Sequence, residues 1–376
     1  MLATQKLQKH AKAALWRERE PLISLSAREV YSPRTQKTYI NFSSNDYLGL
    51  AHHPKVVHAA HEALARYGVG ACSAPTLTGY HPLQQALEKK LGEWLGIPYG
   101  FIMSNGYLAN TGVIPALGMN SLLLDKEAHA SLIDGARLAD VPWTRFRHNN
   151  ITHCEQKLKT LEAPTLIVVE GVYSMSGSCA PLAELLKLAE RYQAFVYYDD
   201  AHGIGVIPPP TAHPRLIYMG TLSKALGSYG AFVGCFDETL YHTLLQFTRT
   251  HLFNTALPPV LMAAGLAALN VIQNEPVGAR LRENIDFFGS MSVMPAQAGI
   301  QSVGAIQSIL LENAKQAIQL ATMLKEAGLW VSAIRPPTVP QSQLRVVLNA
   351  AHRAEDIQRL VTMYEFFKQV SSAETK

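Results

Sequence analysis

Cysteine is scarce in this sequence, and its spacing suits neither disulfide bridges nor a metal centre. The 376-residue chain has four cysteines that lie far apart and form no C-x-x-C pair: Cys72, Cys154, Cys179 and Cys235. Disulfide frameworks and thiolate metal sites need paired or regularly spaced cysteines. We therefore expect free thiols, a reducing compartment and a cytoplasmic protein.

Excess charge of either sign is also missing. The chain has 33 basic and 29 acidic residues, a formal net charge of +4, and no basic run. Faces that bind nucleic acid are built from clustered lysine and arginine. The composition therefore argues against a nucleic-acid partner, while its modest positive balance suits an anionic substrate.

Hydrophobic runs of membrane-spanning length are absent. One long uncharged stretch, FNTALPPVLMAAGLAALNVIQN, covers residues 253–274, but a helix within it can begin only near Pro258 or Pro259. That leaves roughly 15 residues, or about 22 Å, against a hydrocarbon core of ~30 Å. We expect a buried helix and no membrane partner. Lysines also interrupt any secretory signal at the N-terminus, where an amphipathic helix is expected instead.

Two ligand signatures are missing as well. The stretch SNGYLANTGVIPALG, residues 104–118, has a glycine turn leading into a helix, which suits a phosphate, but it is not G-x-G-x-x-G. This disfavours a dinucleotide-binding dehydrogenase. His58 and His61 are three residues apart on a probable helix, yet no acid or cysteine completes a ligand set, so we expect no metal.

What the sequence does contain is an alternation of short apolar runs and amphipathic helical patterns. TLIVVE, PLAELLKLAERYQ, AFVYYDD and RLIYMGT follow one another as strand, helix, strand and strand. This order predicts an α/β fold with a mostly parallel sheet, whose ligands bind at the carboxyl ends of the strands. Seven polar residues fall at those ends: Glu170, Ser174, Asp199, Asp200, His202, Thr221 and Lys224.

Lys224 lies within GTLSKALGSYGAFVG, residues 220–234, among small residues that allow a flat ligand to approach the backbone. Asp199 and Asp200 end the preceding strand, and alternation allows at most one of them to face the site. A lysine and a carboxylate in one crevice are what pyridoxal phosphate requires, since the lysine forms an imine and the acid pairs with the ring nitrogen. His129 lies near a helix start, where a lone histidine fits a structural role as well as a functional one.

The length suits more than one compact unit. We predict an N-terminal helix and arm over residues 1–40, a large domain over 41–270, and a smaller α+β domain over 271–376. The segment FFGSMSVMPAQAGIQSVG, residues 287–304, has neither a clear period nor charge, and we assign no element to it.

Six motifs stand in a fixed order along the chain: NFSSNDYLGL (41–50), HASLIDGA (129–136), EGVYSMSG (170–177), DDAHGIGV (199–206), GTLSKALG (220–227) and AIRPPTVP (333–340). In sequence and in order they resemble the motifs of the α-oxoamine synthases, a family of fold-type I pyridoxal phosphate enzymes. The resemblance extends from about Asn41 to about His352. It implies a large pyridoxal phosphate-binding domain, a homodimer with its site between subunits, and an acyltransferase activity.

Within the family, IRPPTVP together with NFSSNDYLGL is most similar to the branch that condenses L-alanine with a pimeloyl thioester, on coenzyme A or an acyl-carrier protein, in biotin biosynthesis. Glycine C-acetyltransferase and other sister activities remain alternatives. So does a catalytically silent regulatory subunit, although such subunits typically lack the lysine that is present here as Lys224.

The resemblance also implies roles for individual residues. Lys224 would hold the cofactor and take the α-proton, Asp199 would pair with the pyridinium nitrogen, and His129 would stack on the ring and polarise the thioester carbonyl. The other cofactor contacts would be Gly106, Tyr107, Ser174, His202, Thr221 and, from the partner subunit, Thr255. Arg335 would bind the amino-acid carboxylate, and the other substrate contacts would be Arg17, Asn45 and Thr338.

Three stretches depart from the family pattern. GACSAPTLTGY (70–80) has a cysteine and a proline where smaller residues are usual, and IPPPTAHP (207–214) lacks the usual glycine-rich turn. The segment after AIRPPTVP is shortened and leaves Arg345 as the sole arginine before the last strand. These departures affect the expected thioester affinity and activity rather than the fold.

Overall fold

The architecture centres on one seven-stranded sheet. The computed structural model describes residues 4–5, 7–8, 19–291 and 304–374. Arg17 and most of the segment 287–304 lie outside the described residues. The spatial order of the strands is β4-β10-β9-β8-β7-β5-β6, with bounds β4 Tyr99–Met103, β5 Ser121–Asp125, β6 Trp143–Phe146, β7 Thr165–Glu170, β8 Phe195–Asp199, β9 Leu216–Thr221 and β10 Ala231–Cys235.

The sheet is parallel except for one strand, which confirms the predicted fold class. β5 pairs in parallel with β6 and β7, β7 with β8, and β8 with β9, while β10 runs antiparallel to both β9 and β4. The register sets Glu170 beside Asp199, and Asp199 beside Met219. The carboxyl ends of six strands therefore meet at one edge, where the polar residues singled out in the sequence follow them.

Both faces of this sheet are covered, which explains why its strands read as continuous apolar runs. Ile167 and Val169 belong to one buried cluster, whereas their neighbours Leu166 and Val168 belong to a second cluster on the other face. Helices supply the cover on both sides. They are α1 Pro54–Tyr67, α2 Pro82–Leu95, α3 Gly106–Ala116, α4 Ala130–Leu138, α5 Ile151–Leu158, α6 Leu182–Arg191, α7 Glu238–Phe247, α8 Arg249–Leu252 and α9 Pro259–Asn274.

The C-terminal part has its own small sheet, ordered β11-β14-β13. Its elements are α10 Val277–Ser290, β11 Ile306–Leu310, α11 Ala314–Glu326, β12 Leu329–Trp330, β13 Ser332–Ile334, β14 Gln343–Val347 and α12 Ala354–Glu374. A third sheet joins the N-terminal arm to this part, because β3 pairs with β12. Besides β12, this third sheet contains β1 Ile23–Ser24, β2 Glu29–Ser32 and β3 Lys37–Asn41. The domain boundaries at 40 and 270 stay predictions.

Helix α9 begins at Pro259 and buries Met262, Ala268 and Leu269, as the sequence predicted for the uncharged stretch. Among the described helices, none by itself has the length and apolarity to cross a membrane; α9 and α10 meet that test only as a pair, which is bent by 67°. The four cysteines are free, and Cys72 alone among them is exposed.

Candidate lysine-centred active site

Lys224 lies in the turn that follows β9, with its Nζ 2.8 Å from Nε2 of His202. Burial lowers the pKa of the Lys224 ammonium to about 8, and the nearby Asp199 and Glu170 carboxylates offset part of that effect. A neutral amine is the nucleophilic form, so the site makes this lysine reactive near neutral pH. Gly227 in the same turn has φ of +61°, and a Cβ there would lie 2.5 Å from the Leu50 carbonyl carbon.

His202 connects the lysine to the NFSSNDYLGL segment. The hydroxyl of Tyr47 lies 2.5 Å from Nδ1 of His202 and donates to Oδ1 of Asn45 at 3.2 Å. Burial, and then the charge on Lys224, hold the pKa of His202 well below its ordinary value. The ring is therefore neutral, and its Nε2 accepts from Lys224. Sequence reasoning missed Tyr47, although the tyrosine stands inside a quoted motif.

The two acids that end β8 have different surroundings, as strand alternation predicts. Asp199 accepts from Nδ2 of Asn110 at 2.7 Å and from the backbone N–H of Ala201 at 3.0 Å. Burial raises the pKa of Asp199, while the Asn110 hydrogen bond and Lys224 lower it. Asp200 instead accepts from the Tyr218 hydroxyl at 2.9 Å. Both acids are buried, but Asp199 has the larger effect on the pKa of Lys224 and is the one that acts on the pKa of His129.

His129 caps the N-terminus of α4, where its Nδ1 accepts from the backbone N–H of Ser131. The Ser131 hydroxyl lies 2.7 Å from the same nitrogen. Partial desolvation lowers the pKa of His129, and the Asp199 carboxylate opposes that shift. His129 is nevertheless exposed, so the ring is accessible to a ligand.

Glu170 lies deeper in the site. It is 3% exposed, and its Oε1 has no hydrogen-bond partner among the described residues. Burial and the Asp199 carboxylate raise the pKa of Glu170 well above its ordinary value. Its Oε2 accepts from the backbone N–H of Ser174 at 3.2 Å. Glu170 therefore orders the loop that carries Ser174.

Arg345 also reaches the site, from β14. Its Nε donates to the Ser174 carbonyl at 2.6 Å and its Nη2 to Oδ1 of Asn45 at 3.1 Å. Its charge also lowers the pKa of Lys224 and of His202. Since β14 is far along the chain from these partners, only packing of the C-terminal part onto the large sheet reveals this arginine.

Arg335 lies elsewhere, on the turn after β13. It lines a separate cavity of about 350 Å³ together with residues from the start of α11 and from the segment before β14. Thr338, whose N–H donates to the Arg335 carbonyl at 3.1 Å, is exposed on the same turn. Arg335 and Thr338 therefore lie together on one turn.

Three of the four predicted phosphate contacts lie at or beside the start of α3. Gly106 and Tyr107 form its first turn, and the Asn105 side chain caps the helix by accepting from Leu108 at 2.9 Å. The Thr255 carbonyl accepts from Ser104 at 3.5 Å, which sets Thr255 beside this helix start. Thr221 donates from its hydroxyl to the Gly230 carbonyl at 2.9 Å.

These residues fit pyridoxal phosphate by their chemistry. A reactive amine at Lys224 suits the aldehyde, the buried Asp199 suits the ring nitrogen, and the N–H groups of a helix start suit the phosphate. Among the described residues no cluster of histidine, cysteine and acids suits a metal ion. The fold and the site therefore define a fold-type I pyridoxal phosphate enzyme.

Comparison with known proteins gives the same class and narrows it. The sequence model of class I and II aminotransferases matches residues 37–363. An 8-amino-7-oxononanoate synthase from Hydrogenovibrio crunogenus is 39% identical over 94% of this chain and 93% of its own length. The enzyme of that name from Chromobacterium violaceum is 42% identical, over 87% of this chain and 88% of its own length.

Solved structures of related enzymes have the same fold as this chain. Serine palmitoyltransferase from S. paucimobilis, with bound PLP–myriocin aldimine, has a TM-score of 0.88 and 26% identity over 99% of this chain and 98% of its own. The 8-amino-7-oxononanoate synthase from Francisella tularensis has a TM-score of 0.73 and 29% identity, over 89% and 99%. The chain belongs to the class I and II aminotransferase family and, within it, to the 8-amino-7-oxononanoate synthases. It is a pyridoxal phosphate-dependent acyltransferase, which confirms the predicted family, enzyme class and cofactor.

Proposed function

We propose that this chain condenses L-alanine with a pimeloyl thioester, carried on coenzyme A or on an acyl-carrier protein, in biotin biosynthesis. The α-carbon of alanine forms a bond to the acyl carbon, the thiol leaves, and the alanine carboxylate departs as carbon dioxide, giving 8-amino-7-oxononanoate. The observation that carries the proposal is the 37–42% identity to seven enzymes of that name over most of the chain.

The residues around Lys224 support the proposal because each has a place in such a reaction. Bound pyridoxal phosphate supplies an electron sink for the carbanion at the alanine α-carbon. Lys224 would hold the cofactor covalently until the alanine amine displaces it, and as a free neutral amine it would then accept the α-proton. Asp199 would hold a proton on the ring nitrogen, and His129 would donate a hydrogen bond to the thioester carbonyl.

The remaining contacts hold the cofactor in place. We assign the phosphate to Gly106, Tyr107 and Thr221, with Thr255 reaching the phosphate of the partner subunit. Ser174 and His202 hold the ring. The proposed substrate contacts remain Arg17, Asn45 and Thr338. Arg17 is assigned to the far carboxylate of the pimeloyl chain.

Arg345 is a better candidate than Arg335 for the alanine carboxylate. It is 7% exposed, and its hydrogen bonds to Ser174 and Asn45 hold its guanidinium toward Lys224. A planar guanidinium binds a carboxylate through two parallel hydrogen bonds. Arg335, in its separate cavity, is left free for another anionic part of the substrates.

A homodimer accounts for the apolar side chains near Thr255. Val69, Leu77 and Phe253 are 79%, 78% and 74% exposed. The backbone of the adjacent Ala256 bonds to Ser73, which connects these segments on one face. A second copy covering this face would bury the side chains and complete the phosphate site. The proposed compartment is the cytoplasm, supported by the four free thiols.

The sister activities differ in substrate rather than in cofactor chemistry. Serine palmitoyltransferases share the fold, and glycine C-acetyltransferase is the second candidate. A silent regulatory subunit would have no need of a lysine whose pKa is lowered to about 8.

Side-by-side steady-state assays decide among these activities. L-alanine and glycine are each combined with pimeloyl- and acetyl-coenzyme A, and pimeloyl-carrier protein is tested as a second donor. We expect the highest kcat/KM for L-alanine with a pimeloyl thioester, with glycine used at a few per cent, since one methyl group contributes only about 1–3 kcal/mol. A higher value for glycine with acetyl-coenzyme A would reject the biotin assignment and favour glycine C-acetyltransferase.

A further inference from the structure

Asn110 lies at the centre of a buried hydrogen-bond network that neither the sequence motifs nor the family match assigns. It is on α3 and is 1% exposed. Its Nδ2 donates to Oδ2 of Asp199 at 2.7 Å and to Oγ of Ser131 at 2.8 Å, and its Oδ1 accepts from the Tyr197 hydroxyl at 2.8 Å. Both amide hydrogens and the carbonyl therefore have partners.

The Asp199 carboxylate fixes the orientation of this amide. If the Asn110 amide were turned over, its carbonyl oxygen would lie against Oδ2 of Asp199, and two acceptors would face each other without a proton. The observed orientation is therefore the one that an ionised Asp199 selects. In the same orientation the second N–H of Asn110 points to Ser131.

The network continues from Ser131 to His129. Because Ser131 Oγ accepts from Asn110, its own proton is free for Nδ1 of His129, 2.7 Å away. The backbone N–H of Ser131 also points at Nδ1, at 3.3 Å, and an amide N–H can only donate. Nδ1 is therefore an acceptor, and the proton of the neutral ring lies on Nε2.

Close packing of α3 against α4 makes this network possible. A Cβ at Gly135 of α4 would lie 2.5 Å from the backbone carbonyl oxygen of Asn110 and 2.9 Å from the Ile114 side chain. Only glycine allows the helices to approach so closely there. If His129 served only as a helix cap, its hydrogen bond from the Ser131 N–H would be sufficient. Neither Asn110 nor the close approach of α3 to α4 would then be required.

We propose that Asn110 and Ser131 are positioning residues that hold Asp199 ionised and hold His129 as the tautomer with its proton on Nε2. The inference rests on the proposed function, in which His129 donates to the acyl carbonyl and Asp199 pairs with the ring nitrogen. A histidine whose Nδ1 is occupied on the protein side offers its Nε2–H to the thioester oxygen. The same network thus positions Asp199 for the amino-acid half-reaction and His129 for the acyl step.

The tautomer can be read directly, without any substrate. In ¹⁵N-histidine-labelled holoenzyme, the His129 signals are identified by their loss in His129→Gln. We expect Nδ1 at the shift of an unprotonated nitrogen and Nε2 at that of a protonated one, near pH 7.5. A proton on Nδ1 would overturn the proposal. The tautomer is read in the wild-type network, with His129→Gln used only for assignment and no acyl donor present, so its outcome is independent of whether pimeloyl is the correct acyl group.

Ser131→Ala separates the two half-reactions. It removes the hydroxyl from His129 but leaves the Asn110–Asp199 hydrogen bond. We expect α-proton exchange of L-alanine in D₂O within about 3-fold of wild type, and kcat/KM for the thioester lowered about 10- to 100-fold. Asn110→Leu should slow both steps and shift the pH profile of the visible cofactor band, because it removes the partner of Asp199.

Ser121→Ala is the matched control for loss of a buried serine. Ser121 is 1% exposed and hydrogen-bonded to the Glu162 carbonyl and Thr165, away from the site. It should lower the melting temperature about as much as Ser131→Ala while leaving both half-reactions unchanged. If Ser131→Ala slowed proton exchange and the acyl step equally, its role would be structural and the proposal would fail.

Discussion

The Nζ of Lys224 and Nε2 of His202 lie 2.8 Å apart, and this contact is one end of a chain of hydrogen bonds across the site. His202 leads to Tyr47, Tyr47 donates to Asn45, and Arg345 donates to the same Asn45 oxygen. The lysine proposed to form the imine and the arginine proposed for the carboxylate are thus connected through residues of the N-terminal motif. Binding of an anion at Arg345 would reduce its electrostatic effect on the pKa of Lys224.

Replacing Lys224 tests the covalent assignment. Lys224→Ala should retain the fold, judged by its melting temperature, but lose the adduct that borohydride reduction fixes to the wild-type chain. Lys187→Ala, on the exposed face of α6, is the control and should keep the adduct. Peptide mapping that places the wild-type adduct on another lysine would refute the site.

Replacing Asp199 separates catalysis from cofactor binding. Asp199→Asn should lower turnover by about 100-fold or more while cofactor occupancy stays near that of wild type, because an amide cannot keep the ring nitrogen protonated. Asp200→Asn, next to Tyr218 rather than Asn110, should affect turnover far less. Turnover and the visible absorbance of each purified variant are the measurements. The reverse ranking would move the role to Asp200.

Two arginine variants decide which one binds the amino acid. Arg345→Ala should weaken L-alanine binding about 10- to 100-fold, the loss expected for a charge-assisted pair. Arg335→Ala should leave L-alanine binding within about 3-fold, because Arg335 lines a different cavity. Titration of the visible cofactor band with L-alanine gives both affinities, and a larger loss in Arg335→Ala would restore the original sequence prediction.

The lowered pKa of Lys224 predicts how cofactor binding varies with pH. In cofactor-free protein the amine is charged below about pH 8 and neutral above it, so the rate of adduct formation should rise through pH 8 and then level off. Stopped-flow absorbance between pH 6.5 and 9.5 measures this rate. A rate that still rises steeply at pH 9.5, as expected for an unperturbed lysine with a pKa of 10.5, would show that burial does not act as described.

The same shift affects stability with a defined sign. Burial of the Lys224 ammonium destabilises the folded chain below about pH 8, and this cost is lost as the pH rises from 8 to 10.5, where the unfolded lysine is still protonated. Cofactor-free Lys224→Met should therefore melt at a higher temperature than wild type at pH 7, with a smaller difference at pH 10. An equal difference at both values would contradict this linkage.

The sequence by itself determined the strands of the sheet and the residues that follow them. The inner residues of runs such as TLIVVE are all apolar because both faces of the sheet are covered, and polar residues can follow only where the strands end. Lys224, Asp199, His202 and Glu170 were therefore predictable as neighbours, and the helix Pro259–Asn274 from its prolines and lack of charge.

Tertiary structure decided which more distant residues join them. Arg345 enters through packing of β14 against the loop of Ser174, and Asn110 and Ser131 meet because α3 and α4 approach closely at Gly135. Such contacts depend on the relative position and rotation of whole elements, which no local pattern of residues records. The antiparallel direction of β10 was hidden for a similar reason: a short, fully buried apolar run fits either direction, and only its pairing with β9 and β4 fixes it.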